Sequence, residues 1–267
     1  MFLLLLTSVC SAPLPALSGD TLLDQGYRQM YNLDFDGAHQ TFRQWEKQHP
    51  EDPMGPVSAA AAYLFSEFER LNILQSEFFI DDNEFLRRKP QPDPAVKAKF
   101  LSAVEQSDRL ADRVLAKDPK NADAMFARLL SIGLRQDYLG LIEKKYFATL
   151  KLMKQGRQQA EQLLALHPNY YDAYLAIGVE NYMLSLKPAP MRWLLQIGGA
   201  ETDRSKGIAK LRLTAEKGRL LEPFARLLLA VAAARDKDYP RARELMSGLA
   251  REFPRNRLYA RELARLQ

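Results

Sequence analysis

Residues 35–50 read FDGAHQTFRQWEKQHP, a helical pattern that ends at a proline. Ala38 and Phe42 lie four residues apart, so in a helix both side chains would face the same side. Proline cannot continue a helix, and it pushes the residue before it out of the helical conformation. We therefore predict an amphipathic helix over 35–49 with a hard stop at His49-Pro50.

Three later segments stop in the same way, at Asp118-Pro119, His167-Pro168 and Phe253-Pro254. A new helical pattern follows each stop within a few residues, with apolar residues at intervals of three and four. No segment alternates apolar and polar residues as a half-buried strand would. Recurring helical hairpins of this kind are typical of an α-solenoid, in which each hairpin buries its apolar face against the next.

The sequence thus predicts one all-α domain over 20–267, an α-solenoid of antiparallel helical hairpins with negligible sheet content. From the apolar periodicity we expect about eleven helices. They are expected near residues 20–33, 35–49, 54–73, 94–117, 121–138, 142–166, 170–187, 201–217, 223–236, 240–252 and 256–266.

Small and aromatic residues recur at fixed positions on these helices. Three groups carry the pattern: Gly26, Phe35, Ala38, Phe42 and Pro50; Tyr174, Ile177 and Gly178; and Ala230, Tyr239, Ala242, Met246 and Pro254. Small residues let two helix backbones approach, and the large residue fills the space between neighbouring turns. The pattern resembles the tetratricopeptide-repeat family. That resemblance implies a right-handed superhelix with a concave groove that holds a ligand.

The repeat spacing departs from that family. The closing prolines stand 69, 49 and 86 residues apart, whereas the family repeats about every 34 residues. We attribute the extra length to long helices and to two insertions, at 72–94 and 187–200. Residues 178–207 resemble the long-repeat tetratricopeptide proteins typified by the fungal inclusion-body-clearance family.

The N-terminal residues differ from the rest of the chain. An apolar stretch from Phe2 to about Ala12 is followed by Pro13, Pro15 and small residues, which is the pattern of a secretory signal peptide. We predict a signal peptide over 1–18 and an exported protein, periplasmic or secreted. A lipid anchor on Cys10 and an uncleaved N-terminus are the alternatives.

Composition excludes several classes of protein. The 267 residues are 47% apolar and 27% charged, and they include one cysteine and three histidines. A disulfide framework and a Cys-rich metal site are therefore excluded. The net charge is +5, and residues 186–267 contain 18 Lys/Arg against 9 Asp/Glu. Because acidic residues are interleaved with these basic ones, we expect a solvated helix surface and no nucleic-acid partner.

Motifs for catalysis or for a cofactor are weak. The three histidines have no i, i+4 spacing, and Gly198-Gly199 does not fit a phosphate-binding loop. The acidic run 81–84 lacks the glycine and glutamate spacing of a calcium loop. No serine stands in a Gly-x-Ser-x-Gly elbow. We therefore predict a non-enzymatic protein with no metal and no cofactor.

The family register points to the groove as the binding site. Transferring that register by the Gly and Pro positions selects eight residues: Leu23, Tyr27, Met30, Tyr31, Leu175, Val179, Tyr182 and Met183. Aromatic and aliphatic side chains of this kind suit an apolar peptide, a partner helix or an acyl chain. We predict a scaffold that holds a protein or peptide partner. The alternatives are a carrier of an apolar ligand and a protein of the membrane surface.

A second part of the chain could fill that groove instead. The candidates are residues 78–80 and the segment around Trp193. The Trp193 segment is short, apolar and bordered by basic residues, so it could also make a peripheral contact with a lipid surface. Packing over the neighbouring hairpin is the other interpretation.

Overall fold

The computed structural model describes residues 21–74 and 89–266. Across these residues the backbone forms helices and turns, and no β-strand is present there. Each helix packs against the next along the chain, so that antiparallel hairpins stack in sequence order, except that helix Tyr174–Ser185 packs directly on Arg204–Lys217 and the short helix Ala189–Ile197 between them stands outside this stack. This confirms the predicted all-α solenoid. The signal peptide, Cys10, residues 78–80 and the acidic run 81–84 lie outside the described residues.

Twelve α-helices are present in the described part of the chain. They are α1 Leu22–Tyr31, α2 Phe35–Gln48, α3 Met54–Arg70, α4 Pro94–Lys117, α5 Ala122–Asp137, α6 Tyr146–Leu166, α7 Tyr174–Ser185, α8 Ala189–Ile197, α9 Arg204–Lys217, α10 Glu222–Arg235, α11 Tyr239–Glu252 and α12 Arg257–Arg265.

Most helix ends lie where the sequence places them. Helices α2, α4, α6 and α11 each end two residues before a proline. Seven of the twelve helices begin at a polar cap. Asn121, for example, accepts a hydrogen bond from the backbone N–H of Ala124 at 3.0 Å, and Asp203 accepts one from Lys206 at 2.9 Å. These side chains satisfy backbone donors that the first helical turn leaves unpaired.

Two details differ from the expected pattern. A π-helical turn, Tyr138–Ile142, follows α5, and Lys144 then adopts a left-handed conformation with φ of 57°. Helix α6 therefore begins at Tyr146 and not at residue 142. Helix α8 lies inside the 187–200 insertion, which brings the number of α-helices in the described residues to twelve instead of about eleven.

Close backbone approach holds the paired helices together. A methyl group at Gly26 would lie 2.2 Å from Cε1 of Phe42, and one at Gly178 would lie 2.9 Å from Leu211. Glycine at these positions therefore admits a large neighbouring side chain that alanine would exclude. The same relationship links α1 to α2 and α7 to α9.

The first helices of the chain also contact the last ones. The ring of Tyr31 packs on Phe253 with 5.5 Å between centroids, and the ring of Phe65 packs on Phe224 at 5.6 Å. The side-chain amide of Asn256 donates to the backbone carbonyl of Tyr31 at 2.7 Å. The inward sides of α1 and α3 are therefore covered by the C-terminal helices.

Candidate functional site

The four predicted groove residues of α1 lie in the core. Leu23, Tyr27, Met30 and Tyr31 are all buried. The ring of Tyr27 meets the ring of Phe42 edge to face, with 5.6 Å between centroids. These side chains fill the space between α1, α2 and the C-terminal helices.

The four predicted groove residues of α7 have mixed environments. Tyr182 is buried beneath the Arg204 guanidinium, which lies 5.8 Å from the ring centroid. Leu175 and Val179 are half-buried and pack on the cluster that contains Tyr182. Met183 is exposed. The structure therefore does not bring the eight predicted side chains together as one open groove, since five of them are buried and two are half-buried.

Helix α8 carries a different apolar surface. Its large exposed hydrophobic side chains are Met191, Trp193, Leu194 and Ile197, and Trp193 and Ile197 are 62% and 66% exposed. No residue of this helix is buried. We call these four residues the α8 surface. From the sequence, the Trp193 segment is a candidate contact surface that ranks behind the groove.

A further exposed apolar residue stands at the start of α6. Phe147 is 91% exposed. It lies seven residues before Lys154, on the same side of the helix and about 10 Å from it along the axis. The Lys154 ammonium group donates a hydrogen bond to the backbone carbonyl of Gly198 at 3.0 Å. Helix α6 therefore supports the C-terminal end of α8.

A proline begins α8, and specific backbone contacts fix its C-terminal end. Pro190 lies in its first turn, where the missing N–H costs little. At the other end Gly199 adopts a φ of 79°, and the N–H of Ala200 donates to the carbonyl of Leu195 at 3.0 Å. The Arg157 guanidinium also donates to the carbonyl of Gly199 at 2.8 Å. Cations at a helix C-terminus stabilise its partial negative charge.

Arg157 is the centre of an ion-pair cluster under this helix end. Its Nε donates to Glu180 at 3.1 Å, and its Nη1 donates to Glu161 at 3.0 Å. Burial raises the pKa of the Glu180 carboxyl, although the backbone N–H of Glu201 and the charge of Arg157 oppose that rise. The cluster joins α6, α7 and the segment between α8 and α9.

The part of the chain that carries the α8 surface and the first part of α6, which contacts the end of α8, both lack acidic residues. Residues 144–160 contain five Lys/Arg and no Asp/Glu, and residues 181–200 contain Lys187 and Arg192 and no Asp/Glu. Seven of the nine large hydrophobic side chains that are exposed in the described residues also fall in these segments. Basic charge and exposed apolar area therefore coincide.

The histidines lie apart from one another. His39 stacks on Tyr63 with 4.0 Å between centroids, and burial together with Arg43 lowers its pKa to about 4. His49 stacks on Trp45, and His167 contacts the carbonyl of Lys120 at 2.7 Å. Residues 21–74 and 89–266 contain no group of three His, Cys, Asp or Glu side chains arranged to hold a metal ion.

Within those same ranges, none of the helices combines the length and the apolar character needed to cross a bilayer. Comparison of the chain with models of known protein families gives no match, and comparison with curated proteins gives none either.

Proposed function

We propose that this protein is a non-enzymatic interaction scaffold that binds its partner through the α8 surface. One observation carries the proposal: four large apolar side chains of a single helix face solvent, and the helix has no buried residue. Contiguous apolar area of this kind on a folded protein marks a binding surface. Methionine and tryptophan add adaptable and rigid contact area.

The proposal moves the contact away from the predicted groove. Tyr27, Tyr31 and Tyr182 are already packed against other parts of this chain. A partner that used them would have to displace those contacts. The α8 surface can be reached without any such rearrangement.

We further propose that the chain is a divergent tetratricopeptide-repeat protein. Stacked helical hairpins and the close approach of Gly26 to Phe42 support this assignment, because they reproduce the small-to-large packing of the family pattern. Export remains a proposal that rests on residues 1–18, with lipid attachment at Cys10 as its alternative.

The test compares the full chain with the double variant Trp193→Ser, Leu194→Ser in its native host. Detergent-free lysates are sedimented through a density gradient, and the protein is detected by a tag. We expect the wild-type chain in heavy fractions, bound to its partner, and the double variant at the position of the free protein. The change follows from the loss of two apolar contacts.

Tyr239→Ser is the matched control, because Tyr239 is 46% exposed and belongs to a different hairpin, the one formed by α10 and α11. It should sediment as the wild type does. Wild-type protein that sediments alone, or a double variant that stays in the heavy fractions, would contradict the proposed function.

A further inference from the structure

We propose that the partner of the α8 surface is an anionic lipid membrane. This inference rests on the proposed function, since it names the partner of the same surface. It is carried by two observations that are independent of each other, namely the direction of the apolar face of α8 and the charge around it.

The apolar side of α8 faces solvent, which is the reverse of the orientation in an ordinary surface helix. In such a helix the apolar side faces the protein core and the polar side faces water. Here Met191, Trp193 and Leu194 face solvent, whereas the guanidinium of Arg192 turns back and donates to the backbone carbonyl of Lys187 at 2.9 Å. A helix that presents its apolar side outward can lie in the boundary between lipid headgroups and acyl chains.

The composition of the α8 surface fits that boundary. Tryptophan is enriched there because its ring is apolar while its N–H remains polar. Leu194 and Ile197 follow Trp193 on the same helix and are exposed as well. Phe147, which is almost fully exposed on α6, adds a fifth exposed apolar side chain from outside α8.

The charge around the α8 surface is of one sign. Lys151, Lys154 and Lys187 are exposed, and the two segments 144–160 and 181–200 contain no acidic residue. Basic residues beside an apolar surface are attracted to the negative potential of anionic lipids. The apolar side chains would then supply attachment and the lysines selectivity for anionic headgroups.

Acidic groups at the borders of these segments are paired with cations. Glu143 forms ion pairs of 2.6 Å with both Lys97 and Lys145. Glu201 pairs with Lys206 at 2.5 Å, and Glu161 and Glu180 pair with Arg157. Their negative charge is largely offset within the protein, so it does not oppose an anionic surface.

The same charge disfavours a second copy of this chain as the partner. Two α8 surfaces brought together would place Lys151, Lys154 and Lys187 of both copies around one apolar contact. Like charges at an interface repel each other and raise its free energy. A membrane with anionic headgroups has the complementary charge.

The test is flotation of the purified full chain with lipid vesicles. We expect the wild-type protein to float with vesicles of phosphatidylcholine that contain about 30% phosphatidylglycerol, and to stay at the bottom with phosphatidylcholine alone. Raising the salt to about 0.5 M should reduce flotation, because screening weakens attraction between exposed charges.

Two sets of variants separate the apolar and the basic contributions. Trp193→Ser with Leu194→Ser should lower the bound fraction about tenfold at unchanged melting temperature, since both side chains are exposed. Lys151→Glu with Lys187→Glu should abolish the preference for phosphatidylglycerol. Tyr239→Ser should bind as the wild type does, because it leaves both features in place.

Insertion of the Trp193 side chain into the bilayer can be followed by its fluorescence. Brominated acyl chains should quench its emission in a Trp45→Phe background, in which Trp193 is the remaining tryptophan. A wild-type chain that does not float with phosphatidylglycerol vesicles would overturn the inference, as would a double variant that floats equally well.

The failures of the two proposals are distinguishable. If vesicles are not bound but Trp193→Ser with Leu194→Ser still releases the protein from heavy fractions of the host lysate, the surface has a protein partner. The inference then fails and the proposed function stands. If the double variant changes neither measurement, both proposals fail.

Discussion

The hydroxyl group of Tyr31 donates a hydrogen bond to the backbone carbonyl of Leu220, with 2.9 Å between the two oxygen atoms. The two residues are 189 positions apart in the sequence. Both residues are buried. This bond joins the first helix of the described chain to the segment before α10, so the inward side of α1 is held by the C-terminal half of the protein.

Tyr31→Phe should lower the free energy of unfolding by about 1–2 kcal/mol, because the Leu220 carbonyl would lose its partner inside the core. Urea denaturation followed by circular dichroism measures this change. Tyr171→Phe is the matched control, since the Tyr171 hydroxyl bonds to Asn169 in an exposed position where water can replace it. Equal losses in the two variants would contradict the role of the buried bond.

Gly26→Ala should destabilise the protein by about 1–3 kcal/mol, because the added methyl group would overlap the buried ring of Phe42. Gly133→Ala is its counterpart in α5, where a methyl group would meet nothing within 4 Å. That variant should gain about 0.5–1 kcal/mol through higher helix propensity. Thermal melts of both variants test the pair, and a stable Gly26→Ala protein would refute the packing argument.

Shortening Phe42 provides a check on that clash. In the double variant Gly26→Ala, Phe42→Leu, the new methyl group has room, although some buried apolar area is lost. The double variant should therefore be more stable than the two separate losses would predict if added together. Simple additivity would show that Gly26 and Phe42 do not interact.

Arg157→Met should destabilise the protein by about 3–5 kcal/mol, because it leaves the buried Glu180 carboxyl without its cation. It should also increase hydrogen exchange in α8, since Arg157 binds the carbonyl of Gly199. Arg241→Met is the control: Arg241 forms an exposed pair with Glu244, and its loss should cost less than about 0.5 kcal/mol. Unchanged exchange in α8 would argue against support from Arg157.

Stability should depend on Asp24 at neutral but not at low pH. Burial alone would raise the pKa of its carboxyl, but hydrogen bonds from Arg219 and Thr21 lower it below the usual value of 3.8. Because the folded protein binds this proton less readily, the stabilisation is present above the ordinary aspartate pKa. It is lost as the pH falls through the lowered value.

Asp24→Asn should therefore cost about 1 kcal/mol at about pH 7, since Arg219 is largely exposed and water screens the pair. The difference between variant and wild type should shrink below about pH 4. Urea denaturation at several pH values measures it. Asp112→Asn, which removes an exposed pair with Arg128, should show a smaller difference, and a pH-independent effect at Asp24 would contradict the linkage.

The local elements of the fold could be predicted from the sequence because their causes are local. Prolines end α2, α4, α6 and α11, and the small residues at 26 and 178 mark where helices approach closely. The π-helical turn Tyr138–Ile142 has no comparable signal, so the start of α6 was expected four residues too early. Apolar periodicity indicates a helix but does not reveal which of its turns is distorted.

The candidate site was harder to predict because it depends on contacts between distant residues. The register of α1 places Leu23, Tyr27 and Tyr31 toward a groove, whereas all three are buried. Nothing in that register shows that Leu220 and Phe253 cover this side of the helix. For α8 the relevant signal was the absence of acidic residues from 181–200 and 144–160, which becomes informative only once α6 and α8 are known to be neighbours.

Contact between α1 and the C-terminal helices has a consequence for biosynthesis. Repeat proteins are commonly shortened without losing their remaining repeats, because each unit relies on its immediate neighbours. Here Tyr31 bonds to Leu220 and packs on Phe253, which are synthesised about 190 and 220 residues later. In a nascent chain the inward side of the first helix therefore stays uncovered until those later residues have emerged from the ribosome.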